Sequence, residues 1–414
     1  MSERSVEDFS MLDPMVSSDP FEFYDLLHRE SPVYKIPETG MYVITKYDDI
    51  RQALRDFETF SSDVKVASRN EFAELHQSIL TDGGGWEHVQ TLQRTDPPTH
   101  GRYRKLVDRV FTKKRVMEMT PYIDEVVNEL IDNFIDDEAC EFNDSFAMRM
   151  PGIIIAEQLG LSRNDVATFK KWADAMLGAT RAPISTEEDV RRDAGIELEA
   201  QLFLADVFEK RRKDPHDDLM SAMVHAHGDD EEPLSMHELQ NLMHQLITGG
   251  FETTQSAINH GMWSLVRFPE IAEKLYEDET LLKPFVEEVL RFESPVQFLM
   301  RQATRDVEVS GTLIPQGAIV MIGYGPANRD ETKFECPHQF ELNRKGVGAH
   351  MAFGSGAHHC PGAALGRQEM MSSFKYITQR MGNIELEKPL PTPVHNFSLL
   401  FMPMRDFNIQ FKKR

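Results

Sequence analysis

The chain has 414 residues, 41% hydrophobic and 27% charged, with a formal net charge of -23. That acidity excludes a nucleic-acid footprint, which needs clustered Lys and Arg. Three cysteines, Cys140, Cys336 and Cys360, exclude a disulfide framework in a chain this long. The first residues carry no apolar signal segment and no apolar run reaches the ~18 residues of a membrane span, so a cytoplasmic location is expected. No Pro/Gly/Ser-rich linker divides the sequence, which reads as a single domain over 1–414.

In chain order, Asp19-Pro20 reads as the N-cap and first position of a short helix reaching Arg29. Met41 to Thr45 reads as a strand and Tyr47 to Phe57 as a helix. Ser61 to Arg94 is irregular and broken by Gly83-Gly84-Gly85. It reads either as a surface loop or as a lid carrying Ile79, Leu80 and Trp86 to a pocket. After Thr95-Asp96-Pro97-Pro98 a helix runs to about Phe111. His100 to Arg115 holds seven Lys/Arg and a single acid, Asp108. That reversal of charge is either a solvated basic face or an anion site, since His100 and Arg104 share a helix face at i, i+4.

Helical periodicity dominates residues 120–212, for example at Ile123, Val126, Val127, Leu130, Ile131 and Phe134. Arg181-Ala182-Pro183-Ile184-Ser185 separates two helices, and His227 to Pro233 is an acidic turn. Ser235 and Glu238 form a capping box opening a long helix to about Phe268. Inside it stands Gly249-Gly250-Phe251-Glu252-Thr253-Thr254. Each interior glycine costs about 1 kcal/mol relative to alanine. The pair therefore marks either a close helix crossing or a groove for a small molecule, with Glu252 and Thr253 as the polar pair beside it. His244, just over one turn earlier, reads as a packed residue. Leu281 to Phe292 is helical with Glu288 and Arg291 at i, i+3, residues 304–324 read as strands, and Phe397 to Phe411 is β-rich.

The most informative stretch is Phe353-Gly354-Ser355-Gly356-Ala357-His358-His359-Cys360-Pro361-Gly362. It sets one cysteine at the end of a glycine-rich turn, directly before a helix-favouring run. A thiolate is favoured near a helix N-terminus or a metal, and the glycines let the backbone lie close to a flat partner. Such a cysteine suits an axial thiolate on haem iron. Zinc would require a second Cys/His pair, and a phosphate loop a glycine where His359 stands.

This stretch resembles the cysteine-ligand signature of the cytochrome P450 family, Phe-Gly-x-Gly-x-His-x-Cys-x-Gly, at every fixed position. Gly249 to Thr253 resembles the family's oxygen-binding motif, and Glu288-x-x-Arg291 its Glu-x-x-Arg motif, in the family's order. The resemblance implies a mainly α fold, a helical bundle around haem b with small β-sheets. It implies Cys360 as the iron ligand, with Phe353, Gly354 and Gly362 shaping the cofactor loop and Gly249 and Gly250 beside the cofactor. His100, Arg104, Arg301 and His358 would hold the propionates, and Thr253 with Glu252 would relay protons for dioxygen cleavage. Glu288, Arg291 and Arg344 would form a buried network serving the fold. Trp86, Phe251, Val296, Phe298 and Leu299 would line the substrate pocket. The implied reaction is insertion of one oxygen atom of O2 into a C–H bond of a small to medium apolar substrate, by hydroxylation or oxidative demethylation. Terpenoid, steroid and aromatic classes remain open. Electrons would come from an iron–sulfur ferredoxin with its NAD(P)H-dependent reductase, docking near Arg109, Lys113, Lys114 and Arg115. A peroxide-driven enzyme and a non-catalytic haem sensor are the alternatives. Glu252-Thr253 argues against both, because a proton relay serves dioxygen cleavage.

Overall fold

Helices account for most of the chain, as the apolar periodicity predicts. The computed structural model describes residues 4–64, 72–161, 163–178, 186–226, 232–387, 394–395 and 398–414. The expected helix break at 181–185, most of the acidic turn 227–233 and the start of the final β segment lie outside them. The described helices are α1 (Pro14–Ser18), α2 (Phe21–Glu30), α3 (Tyr47–Ala53), α4 (Ala73–Asp82), α5 (Thr99–Val110), α6 (Lys113–Asp132), α7 (Arg149–Gln158) and α8 (Val166–Met176). They continue as α9 (Glu187–Lys213), α10 (Leu219–Val224), α11 (Met236–Arg267), α12 (Pro269–Glu277), α13 (Leu282–Phe292), α14 (Tyr324–Ala327) and α15 (Ala363–Arg380).

The chain divides into two compact units, Met1–Ser61 with Glu118–Met150 and Glu252–Arg414, and Ser62–Met117 with Pro151–Phe251. Helices α6, α7 and α11 begin in one and end in the other.

The first unit carries the β structure. Strands β1 (Val33–Lys35), β2 (Tyr42–Ile44), β3 (Phe60–Ser61), β4 (Ala139–Glu141), β5 (Phe298–Ala303), β6 (Val307–Val309), β7 (Thr312–Ile314) and β8 (Ile319–Gly323) precede the cysteine loop. Strands β9 (Met381–Leu386), β10 (Val394–His395), β11 (Met404–Arg405) and β12 (Asn408–Lys413) follow α15. The largest sheet has the order β1-β2-β8-β5-β3. Its β2–β8 pair is parallel and the others antiparallel. Side chains alternate across a strand, so Phe298 faces one way and Leu299, Arg301 and Ala303 the other. Phe298 enters a core with Phe23, Tyr24, Val43 and Met321. Leu299 and Ala303 pack with Ile44, Val320 and Ile322.

The second unit is helical. A capping box of Thr186 and Asp189 starts α9, with Asp189 N donating to Thr186 Oγ1 at 3.2 Å and Thr186 N to Asp189 at 3.0 Å. Ser235 and Glu238 cap α11 in the same reciprocal way.

Two local expectations shift. Asp19 does not cap α2: the short helix α1, capped by Asp13, precedes it, and Asp19 ends that helix while Pro20 takes the N-cap of α2. Within the stretch read as irregular, residues 73–82 form α4.

Candidate active site around Cys360

The cysteine loop turns through left-handed backbone at Gly354 (φ +68°) and Gly356 (φ +73°), which only glycine adopts without strain. A Cβ at Gly356 would also come within 2.8 Å of the Leu54 carbonyl oxygen. Cys360 N donates to the Phe353 carbonyl at 2.9 Å, closing the turn. Gly362 is the N-cap of α15, and a side chain there would approach Cys360 Sγ at 3.8 Å. The sulfur thus lies close to the head of an 18-residue helix, where unsatisfied backbone N–H groups and the helix dipole favour negative charge.

Two buried ionic networks hold this loop. In the first, Glu288 and Arg291, one turn apart on α13, form a bidentate pair at 2.7 and 2.8 Å, both fully buried. Arg344 adds a bond to Glu288 at 3.0 Å. Arg291 also donates to the carbonyls of Asn328 and Pro337, each at 2.9 Å. The Asn328 side chain in turn accepts from Met351 N at 2.6 Å and donates to Ser294 Oγ at 2.7 Å. The pair on α13 is thereby tied to the residue that leads into the cysteine loop.

In the second network, Glu287 accepts from His350 Nε2 at 2.9 Å and from Arg367 Nε and Nη2 at 2.6 and 3.0 Å. Burial acts to raise the Glu287 carboxyl, but the bonds from His350 and Arg367 outweigh it and hold its pKa at about 2. Arg367 lies over the Phe353 ring, 4.3 Å from its centre. Glu287, His350 and Arg367 carry no motif that marked them in the sequence. The one hint is that Glu287 adjoins Glu288 in a helix whose neighbouring faces are otherwise apolar.

Arg301 tests whether these residues suit a haem. Its side chain is buried, at 6% exposure, on β5. It bonds the Met300 carbonyl at 2.8 Å and the Tyr324 hydroxyl, and among the described residues no carboxylate pairs with it. An uncompensated buried guanidinium costs several kcal/mol, so Arg301 suits an anion that the described residues do not supply. A propionate supplies one, and Arg301 and Cys360 belong to the same unit.

The cytochrome P450 family profile matches residues 154–400 of the chain. A putative cytochrome P450, YjiB of Bacillus subtilis, is 32% identical over 379 residues, covering 91% of this chain and 90% of that protein. This chain is a cytochrome P450. The 6-deoxyerythronolide B hydroxylase of Saccharopolyspora erythraea is also 32% identical, over 90% of this chain and 92% of its own length. The structure of cytochrome P450 CYP109Q5 from Chondromyces apiculatus matches with a TM-score of 0.86 and 28% identity, covering 98% of each chain. The P450 fold read from the sequence is therefore present, and the protein is a haem-iron monooxygenase that uses O2, a substrate and redox partners. No described helix is long and apolar enough to cross a membrane.

The two glycines of the P450's α11 differ in their surroundings. A Cβ at Gly250 would meet Ile155 of α7 at 2.7 Å, whereas one at Gly249 would meet nothing within 4 Å. One glycine serves a helix crossing and the other faces open space. Phe251, the next residue, is 2% exposed and packs against Phe169, with ring centres 5.6 Å apart, and over Gly152. Phe251 and Phe298, both expected in the pocket, are thus core residues of their units. Val296 and Leu299 remain partly exposed at the edge of a core, and Trp86 is half-buried.

Glu252 and Thr253 are half-buried on α11, and Thr254 is buried against α15. There Gly366 leaves 3.8 Å between its would-be Cβ and Thr254 Oγ1. Glu369, one turn further along α15, hydrogen-bonds Thr254. Burial pushes the Glu369 carboxyl up to about 8, with the Thr254 bond opposing. Nothing in the sequence distinguished this glutamate from a surface one.

His100 is buried at 3% exposure and Arg104 donates to Asp108 at 2.8 Å, both on α5 in the second unit. His358 is half-buried in the cysteine loop. Of the basic cluster, Arg109, Lys113 and Lys114 are exposed. Arg115 is instead tied to Gln158 at 3.3 Å and to the Asp217 carbonyl at 3.4 Å.

Proposed function

We propose that this P450 binds haem b through Cys360 and hydroxylates, or oxidatively demethylates, a small to medium apolar molecule with electrons from a ferredoxin. The observation carrying this reading is the pairing, in one unit, of a cysteine at the head of α15 with a buried arginine that pairs with no carboxylate among the described residues. When bound, the haem supplies dioxygen activation, so that R–H, O2, two electrons and two protons become R–OH and water.

The polypeptide's tasks follow from its own groups. Arg301 and His358, which share a unit with Cys360, hold the carboxylates of the cofactor. The networks of Glu288 and Glu287 keep the cysteine loop in shape, and Phe353 shields one side of the sulfur. Glu252 and Thr253 carry protons inward along α11. Val296 and Leu299 give the substrate site apolar walls, and similarity to a protein named for hydroxylating 6-deoxyerythronolide B supports hydroxylation as the reaction. Exposed Arg109, Lys113 and Lys114 offer an acidic ferredoxin a positively charged surface on an otherwise acidic protein.

The test is the spectrum of the reduced, carbon monoxide-bound protein. The wild type is expected to show the red-shifted Soret band of a thiolate complex, and Cys360→His to lose it while retaining haem. A wild-type band at the position of histidine ligation would overturn the proposal.

A further inference from the structure

Away from the Cys360 site, the second unit holds a cluster that the monooxygenase reaction does not use. His76 on α4, His88 in the loop that follows and Glu197 on α9 bring their ligating atoms within 4.8 Å of one another. His76 Nε2 lies 3.2 Å from one Glu197 carboxylate oxygen and His88 Nε2 lies 2.5 Å from the other. The Glu197 side chain is only 2% exposed, while His76 and His88 keep 19% and 35%. A buried carboxylate thus faces two imidazoles that solvent can reach.

From this arrangement we infer that His76, His88 and Glu197 bind a divalent transition-metal ion of the zinc class. Two imidazoles and one carboxylate are a zinc donor set that leaves a position for water. With metal–ligand bonds of about 2.0–2.2 Å, donors around one tetrahedral ion stand about 3.4 Å apart. The His76–Glu197 separation already matches that edge. His88 meets the other carboxylate oxygen, so its contact opens by roughly 1 Å and the carboxylate turns to present one oxygen to the ion between the two imidazoles.

The donors are positioned by bonds that owe nothing to a metal. Gln201, one turn beyond Glu197 on the same face of α9, clamps both backbone groups of Trp86, at 2.8 and 3.1 Å. Gln77, next to His76, accepts from His88 N at 3.0 Å. Gly83 and Gly85 let the loop lie against α9, since a Cβ on them would come within 2.1 and 2.7 Å of Leu198. The His244 ring stands 5.1 Å from that of His88 and bounds the cluster on the side of α11. The ion would staple α4 and its following loop to α9.

The test uses the haem-loaded protein, stripped with a chelator and titrated with zinc chloride by calorimetry. The wild type and a His225→Ala control should each take up one equivalent. His76→Ala, His88→Ala and Glu197→Gln should each weaken that binding by about 100-fold or more, with the reduced carbon monoxide spectrum unchanged as the check on folding. X-ray absorption at the zinc edge of the wild type should show two imidazole nitrogens and a carboxylate oxygen, a readout that needs no variant. No zinc uptake by the wild type, uptake insensitive to all three substitutions, or an edge spectrum without imidazole would each overturn the inference. In those cases the cluster is a hydrogen-bonded latch alone.

Discussion

Replacing Glu287 with glutamine keeps the side chain's size and removes its charge. In the native protein Glu287 is held at a pKa of about 2, down from 4.5, against burial, by His350 and Arg367. At ~1.36 kcal/mol per pKa unit that depression amounts to about 3.4 kcal/mol, which solvent screening reduces to about 2–3 kcal/mol of folding free energy at neutral pH. The sign follows from linkage. The carboxylate's contribution is complete above pH 4.5 and is lost as the pH falls toward 2, where the native group takes up its proton. Glu287→Gln should therefore unfold in urea with about 2–3 kcal/mol less stability at neutral pH. The deficit should shrink on acidification through that window. Because Arg367 rests on Phe353 and the Phe353 carbonyl receives Cys360 N, the variant should also convert sooner to the carbon monoxide spectrum of a protonated thiol. Equal unfolding free energies at neutral pH, or a deficit that stays constant on acidification, would refute the reasoning.

Arg301→Leu removes the buried cation, and the rate of haem transfer to apomyoglobin should rise while the emptied polypeptide becomes more stable in urea. Thr253→Ala should lower the product formed per O2 consumed, with the spin-state response to substrate intact; unchanged coupling would remove Thr253 from proton delivery. Glu369 retains a proton that the unfolded chain releases above pH 4.5. Stability should fall as the pH rises from 4.5 through about 8, and Glu369→Gln should flatten that decline when urea unfolding is followed across the window. Charge reversal at Arg109 or Lys113 should slow reduction by ferredoxin without altering substrate affinity, and rates insensitive to ionic strength would rule out docking there.

The cysteine loop was legible because its residues are contiguous, and each is fixed by a local need: left-handed backbone at Gly354 and Gly356, closeness to sulfur at Gly362. The capping box at Ser235 and Glu238 was legible for the same reason. Phe298 and Leu299 were read together, although the alternation of a strand sets them on opposite faces of β5. The helix α4 was hidden by the glycines after it, which read as a break but serve a close approach to Leu198. The partners of Glu287 and Glu197 were not legible at all. His350 lies 63 positions from Glu287 and His88 lies 109 from Glu197, and no spacing rule links residues that only tertiary packing brings together.

Arg301, buried and without a carboxylate partner among the described residues, bears on how much of this protein a cell can keep. A buried guanidinium without a counter-charge lowers the stability of the folded chain, and a ligand that binds only the folded state shifts the balance by mass action. Synthesis in haem-starved cells should then leave a larger unfolded fraction exposed to proteases. Standing abundance would track cofactor supply, with the arginine working as a quality check on assembly.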